Sequence, residues 1–114
     1  MNTLKKNYEF KRVLNRGKCI NGKFLAIYVF PNKLKKMRVG FAIGKKAGKA
    51  HDRNRIRRLI KENYRLIENK LELGYDIVFV WKNKLPADKL LYKQIENDVS
   101  LLINFYERKE VWKK

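Results

Sequence analysis

The stretch KAHDRNRIRRLIKENYR, Lys49 to Arg65, holds the densest run of reactive or ligand-binding side chains in the chain. Between Arg53 and Arg65 it carries six positive charges, Arg53, Arg55, Arg57, Arg58, Lys61 and Arg65, against the single acid Glu62. Five of the six are arginine, whose planar fork grips phosphate in a bidentate fashion. Placed on a helix at about 100° per residue, Arg57, Arg58, Lys61 and Arg65 share one side. Ile56, Ile60, Asn63 and Ile67 cluster on the other, flanked by Leu59 and Leu71. A merely solvated face would interleave acids as i, i+4 partners. This face does not, so a polyanion is the expected counter-charge. Asp52 is a candidate N-cap. Arg53 and Arg55 would then sit in the first turn, where the helix dipole disfavours cations and a bound phosphate would offset the cost.

Hydrolytic chemistry finds little to work with. His51 and Cys19 are the only histidine and cysteine, so no tetrahedral zinc site can be assembled from them. Ser100 is the only serine and stands far from His51 and Asp52, which argues against a Ser-His-Asp triad. No tight acidic cluster suggests a protein-held two-metal centre. GFAIGKKAGK, Gly40 to Lys49, has the look of a phosphate loop but lacks the G-x4-G-K-[ST] spacing. Lys45, Lys46 and Lys49 are read instead as an extension of the basic surface. No catalytic residue and no metal ligand set is assigned to the chain.

The totals agree with a binding role. The 114 residues carry 29 Lys and Arg against 11 acids, a formal net charge of +18. With 45% hydrophobic residues the chain should still fold, as one domain spanning residues 1–114. Such an excess speaks of partners rather than of fold. Nucleic acid comes first, anionic membrane second. The membrane reading is weak because the apolar side of the basic helix is expected to face the core rather than lipid. A lone cysteine excludes an internal disulfide, no apolar run spans a bilayer, and the opening MNTLKKNYEF lacks a signal-peptide core. A cytoplasmic location is expected.

These side chains need a scaffold. Residues 4–16 read as a first helix stopped by Gly17. KFLAIYVF, Lys23 to Phe30, reads as a strand with Phe24, Ala26, Tyr28 and Phe30 on one face and Leu25, Ile27 and Val29 on the other. Arg38 to Gly44 and Asp76 to Trp81 read as further strands, with a helix from about Asp52 to Leu73 between them. A short strand near Lys18 to Asn21 is also possible. The last helix, about Asp88 to Tyr106, carries the stripe Leu91, Ile95, Val99, Leu102 and Tyr106. The order α-β-β-(β)-α-β-α predicts a small two-layer α/β sandwich of the α+β kind. Phe10, Leu14 and Tyr28 fit either a core or an aromatic surface that stacks on unpaired bases.

At KAGKAHDRNRIRRLIKENYR, Lys46 to Arg65, the chain resembles the protein component of bacterial ribonuclease P. The R-N-R run of that family is Arg53-Asn54-Arg55 here. The lead-in RVGFAIGKKAGKA, the opening LKKNYEFKRVLNRGK with Phe10, and the strand YDIVFVWK resemble the family too. The resemblance implies a partner of a catalytic RNA, ribonuclease P RNA, which with Mg2+ cuts precursor tRNA at the mature 5′ end. It implies that the basic helix contacts that RNA. It also implies a cleft for the single-stranded 5′ leader, lined by Phe10, Leu14, Ala26, Tyr28 and Ala42, and an unusual left-handed β-α-β crossover. Leu14 departs from the family, which is often aromatic there; so does His51-Asp52, where small apolar residues are usual and where a cap or a metal-ion role for Asp52 stays open. No DNA partner and no membrane are expected. The competing reading is a ribosomal or other structural RNA-binding protein, which charge and size fit equally well.

Overall fold

The computed structural model describes residues 1–82 and 88–107. Strand β1 (Asn2–Thr3) precedes helix α1 (Asn7–Arg16). Strands β2 (Lys18–Asn21), β3 (Leu25–Pro31) and β4 (Arg38–Ala42) follow, then helix α2 (Ala50–Ile67), strand β5 (Tyr75–Trp81) and helix α3 (Asp88–Glu107). The expected α/β sandwich is present, with the short Lys18–Asn21 strand realised and β1 added at the edge. The sheet order is β1-β4-β5-β3-β2. β5 runs parallel to β4 and antiparallel to β3, so it separates the two strands that are neighbours in sequence.

The parallel pair β4–β5 is joined through α2, and its hand follows from two observations. Val39, Ile77 and Phe79 share a core with Ile56, Ile60 and Tyr64, so α2 covers the face to which the Val39 side chain points. The Val39 carbonyl accepts the Leu4 N–H at 2.9 Å, so it points toward β1. In a strand running upward, an L-residue whose side chain points at the viewer turns its carbonyl to the viewer's right. Seen from α2, β1 is therefore right of β4 and β5 left of it. The crossover is left-handed, as the resemblance implied, against the usual hand.

The two sheet faces are unequally covered. α2 and α3 close one face over a core in which Leu25, Ile27, Ile56, Ile60, Tyr64, Ile77, Phe79, Leu91, Ile95 and Leu102 are wholly buried. The predicted α3 stripe is buried throughout. On the other face α1 covers a smaller cluster of Leu4, Val13 and Val78. Phe24 corrects the expected strand face: β3 begins only at Leu25, and Phe24 turns to the larger core, stacked 5.9 Å from Trp81. The first helix starts at Asn7 rather than Leu4: the Leu4 amide continues the pairing with β4, and the backbone is still extended at Lys6, with φ −98° and ψ 143°. Gly17 does end it, with ordinary φ; a Cβ there would meet the Val13 and Val29 carbonyl oxygens at 2.5 and 2.9 Å.

Asp98 ties α3 to the sheet. Its buried carboxylate accepts the N–H groups of Lys23, Phe24 and Leu25 at 3.0, 2.7 and 2.9 Å, where β3 begins and no strand supplies partners.

Candidate RNA interface

β4 delivers the chain to the basic helix through a 3-10 turn at Lys45–Ala47 and through Gly48. Gly48 has φ 134°, a conformation that L side chains rarely adopt, and a Cβ there would stand 2.8 Å from an Asp52 oxygen. α2 then begins at Ala50, with Lys49 as its N-cap residue. Asp52 is thus in the first turn rather than at the cap itself; its Oδ2 accepts the Lys49 N–H at 3.0 Å, and Oδ1 lies 3.3 Å from Nε2 of His51. An acid at this place suits the helix dipole, so the local rule is broken less than the sequence suggested. α2 also stops at Ile67 and tightens into a 3-10 turn at Glu68–Lys70, short of the expected Leu73.

The structure divides the ten predicted basic-surface residues into two groups. Lys45, Lys46, Lys49, Asn54, Arg58 and Arg65 are exposed. Arg53, Arg55, Arg57 and Lys61 are half-buried. Arg53 donates to the Gly48 carbonyl at 2.9 Å, so it braces the turn that presents the lysines. Arg57 donates to Asn54 Oδ1 at 3.1 Å. The Lys61 ammonium lies 5.5 Å over the Phe41 ring, which itself stacks on Phe79 at 5.8 Å. Arg57 and Lys61 therefore do not simply project into solvent, as the helical wheel alone implies. Lys61 lies over a β4 ring and Arg57 is held to its own helix, while both charges add to the field.

The second surface is the uncovered part of the α1 face. Register places Cys19, Tyr28, Val78 and Gly40 in one row across the sheet, and Asn21, Ala26, Val80 and Ala42 in the next. α1 covers the Val78–Gly40 part of the first row: the Phe10 ring lies against Gly40, where a Cβ would come within 2.5 Å of Cε1. Only a glycine lets the ring seat there. The second row is left as a floor of small side chains. Ala26 is buried, while Phe10, Tyr28, Ala42 and Val80 are half-buried and pack against the same cluster. Small floor and aromatic wall leave a partly open slot beside α1. The Tyr28 hydroxyl is pushed above its ordinary range, first by its hydrogen bond with the Cys19 thiol directly across on β2, then by charge and burial. Leu14 is not brought into this cluster; it is exposed on α1, one turn beyond Phe10.

Sequence reasoning missed the bracing at the other end of β4, where α1 begins. Arg38 binds Asp76 in a bidentate pair at 2.8 and 2.7 Å and reaches Glu9 Oε2 at 2.8 Å. Asp76 is wholly buried, and Asn32 donates to it at 2.8 Å. An acid opening a strand apolar on both faces is the signal that could have found it. Glu9 also accepts the Lys5 and Lys6 N–H groups; these bonds hold its carboxyl below the usual range, helped by the Arg38 charge. The cluster fixes the start of α1 against β4 and β5.

Fold and surface define a class: a small basic α/β protein with an arginine-rich helix and an aromatic-walled slot, and with no group of three or more potential metal ligands among the described residues. The model of the Ribonuclease P family matches residues 1–107. The ribonuclease P protein component of Caldanaerobacter subterraneus subsp. tengcongensis is 41% identical over 108 residues, covering 94% of this chain and 93% of that protein. That of Clostridioides difficile is 44% identical over 101 residues, covering 88% and 87%. The structure of the Staphylococcus aureus RNase P protein matches with a TM-score of 0.79 at 28% identity, covering 92% of this chain and 94% of that one. The chain belongs to the ribonuclease P protein family, whose members are the protein subunit of the tRNA-processing ribonuclease.

Proposed function

We propose that the chain binds ribonuclease P RNA through the exposed cations at the start and outer side of α2, and the 5′ leader of precursor tRNA through the slot beside α1. Lys45, Lys46, Lys49, Arg58 and Arg65 supply phosphate contacts, with Asn54 among them. Arg53 holds the turn that presents them. Phe10 and Tyr28 stack on leader bases over the Ala26 and Ala42 floor, with Leu14 at its edge rather than within it. The observation that carries this reading is the half-covered sheet face: an aromatic, small-floored slot in a chain of net charge +18.

The hydrolysis belongs to the RNA subunit, which uses Mg2+. The protein's part is to hold the leader in line and to lower repulsion among phosphates. Residues 1–114 form one domain acting in the cytoplasm; no helix among the described residues is long and apolar enough to cross a membrane.

The test is reconstitution. The purified chain should stimulate 5′ cleavage of a precursor tRNA by a bacterial ribonuclease P RNA at low magnesium, and should cleave nothing without that RNA. No stimulation, or 5′-specific cleavage by the protein free of RNA, would sink the reading.

A further inference from the structure

A second lysine cluster lies at the opposite end of β4 from the basic helix start. Lys5 and Lys6 precede α1, and Lys35 and Lys36 sit in the β3–β4 loop. All four are exposed. Lys5, Lys6 and Lys36 converge on a cleft of about 370 Å³ whose wall includes Glu9 and Arg38. Glu9 is the one acid of that wall, and it is already occupied by the Arg38 guanidinium at 2.8 Å and by the Lys5 and Lys6 amides at 3.1 and 3.0 Å. Among the described residues, none of the four ammonium groups takes part in an ion pair.

The loop that carries Lys35 and Lys36 is held in one shape. The Asn32 side chain accepts the Leu34 N–H at 2.7 Å and donates to the Lys36 carbonyl at 3.2 Å and to Asp76 at 2.8 Å. Its backbone N–H donates to Gly74 at 2.8 Å. Lys33 takes a positive φ of 61° to complete the turn. A loop that served only solubility would need no such bracing. A braced loop presenting exposed ammonium groups suits phosphates, which a lysine meets as a point charge; of the four, Lys6 also lies 5.7 Å over the Tyr8 ring.

We propose that Lys5, Lys6, Lys35 and Lys36 form a second phosphate-binding surface, taken by a structured part of the catalytic RNA. The proposal rests on the reading of the chain as that RNA's partner. The leader slot lies over the Ala26–Val80–Ala42 row, toward the basic helix start, whereas the cleft is built around Arg38 at the other end of β4, with α1 between. A strand lying in the slot does not enter it. RNA gripped at both ends of β4 is held in orientation as well as in place.

The test uses the full chain with Lys5→Gln, Lys6→Gln, Lys35→Gln and Lys36→Gln combined. Glutamine removes charge and leaves the Lys5 and Lys6 backbone bonds intact. Binding to ribonuclease P RNA is measured across a salt series, beside an Arg58→Ala, Arg65→Ala control. The slope of log affinity on log salt should flatten by roughly 0.7 to 0.9 for each phosphate no longer bound, with affinity about tenfold or more weaker at low salt. Should the fourfold variant fold poorly by circular dichroism, the Lys35→Gln, Lys36→Gln pair reads out the same change at about half its size. An unchanged slope with a responsive arginine control would overturn the second surface and leave the proposed function standing. Unchanged slopes in both would remove both. A loss seen only with precursors of extended leader would reassign the lysines to the leader and overturn the proposal as stated.

Discussion

The two faces of the sheet are made from the same strands and end in opposite conditions. On the α2–α3 face, rings and branched chains pack together: Phe79 is wholly buried, with Tyr64 edge-on at 5.9 Å and Phe41 stacked at 5.8 Å. On the α1 face only Leu4, Val13 and Val78 are buried in the cluster, and Phe10, Tyr28, Phe30, Ala42 and Val80 stay half-open. One short helix of 10 residues cannot cover what two longer helices cover opposite. Stability is concentrated on the sealed face, which leaves the open one available for a ligand.

Substitutions should separate the two. Phe79→Ala empties the middle of the sealed core and should cost about 3–5 kcal/mol in urea unfolding, the largest of the expected effects. A cost under about 1 kcal/mol would show that the sealed face is not where stability resides. Tyr28→Ala should act on binding instead. Affinity for precursor tRNA in the assembled enzyme should fall by about 1–3 kcal/mol per base unstacked, with mature tRNA affinity nearly unchanged. Equal losses for both forms would make Tyr28 ordinary core and erase the contrast between the faces. Changing Arg58 and Arg65 to Ala together should flatten the salt slope of RNA binding by roughly 0.7 to 0.9 per phosphate released, while the melting temperature moves only a few degrees. Unfolding instead would make the outer side of α2 structural.

The smallest effect expected concerns Glu9, which anchors α1 to the open face. Its folded pKa lies below the ordinary 4.5, chiefly through the Lys6 and Lys5 amide bonds. Such a group contributes stability above 4.5 that is lost as pH falls through the folded value. Glu9→Gln should therefore lower stability at neutral pH and shrink the acid-side decline below about 4.5. A variant whose acid-side curve overlays that of the parent would show that Glu9 does not anchor the helix.

What could be read from residues alone depended on repetition. The α3 stripe repeats every three or four residues and was legible as a buried face; the alternation along β3 fixed which side Tyr28 takes. β1 was not legible, since two exposed polar residues, Asn2 and Thr3, carry no period. The start of α2 is not legible, because Asp52 fits both the cap and the first turn and only the Gly48 backbone decides between them. Asp98 is masked by its apolar neighbours, although it falls three residues after Ile95, on the buried side. A carboxylate inside such a stripe needs partners, and the strand start supplies them. The R-N-R run pointed to the RNA surface, but the division between exposed Arg58 and bracing Arg53 depends on a carbonyl at Gly48 that no spacing rule reveals.

The insertion of β5 between β3 and β4 has a consequence for how the chain comes together in time. β3 and β4 are consecutive in the chain, yet each pairs with β5 and not with the other. No β3–β4 hairpin can form early as a local seed. The central ladder must wait until residues 75–81 have left the ribosome, and the Lys23–Leu25 amides wait longer still, for Asp98 some 75 positions on. Closing such wide loops before any pairing compensates for them slows folding. For most of its synthesis this highly cationic chain is therefore an unfolded polycation emerging from a particle made largely of RNA. The strand order that shapes the finished surface also delays the moment at which that surface exists.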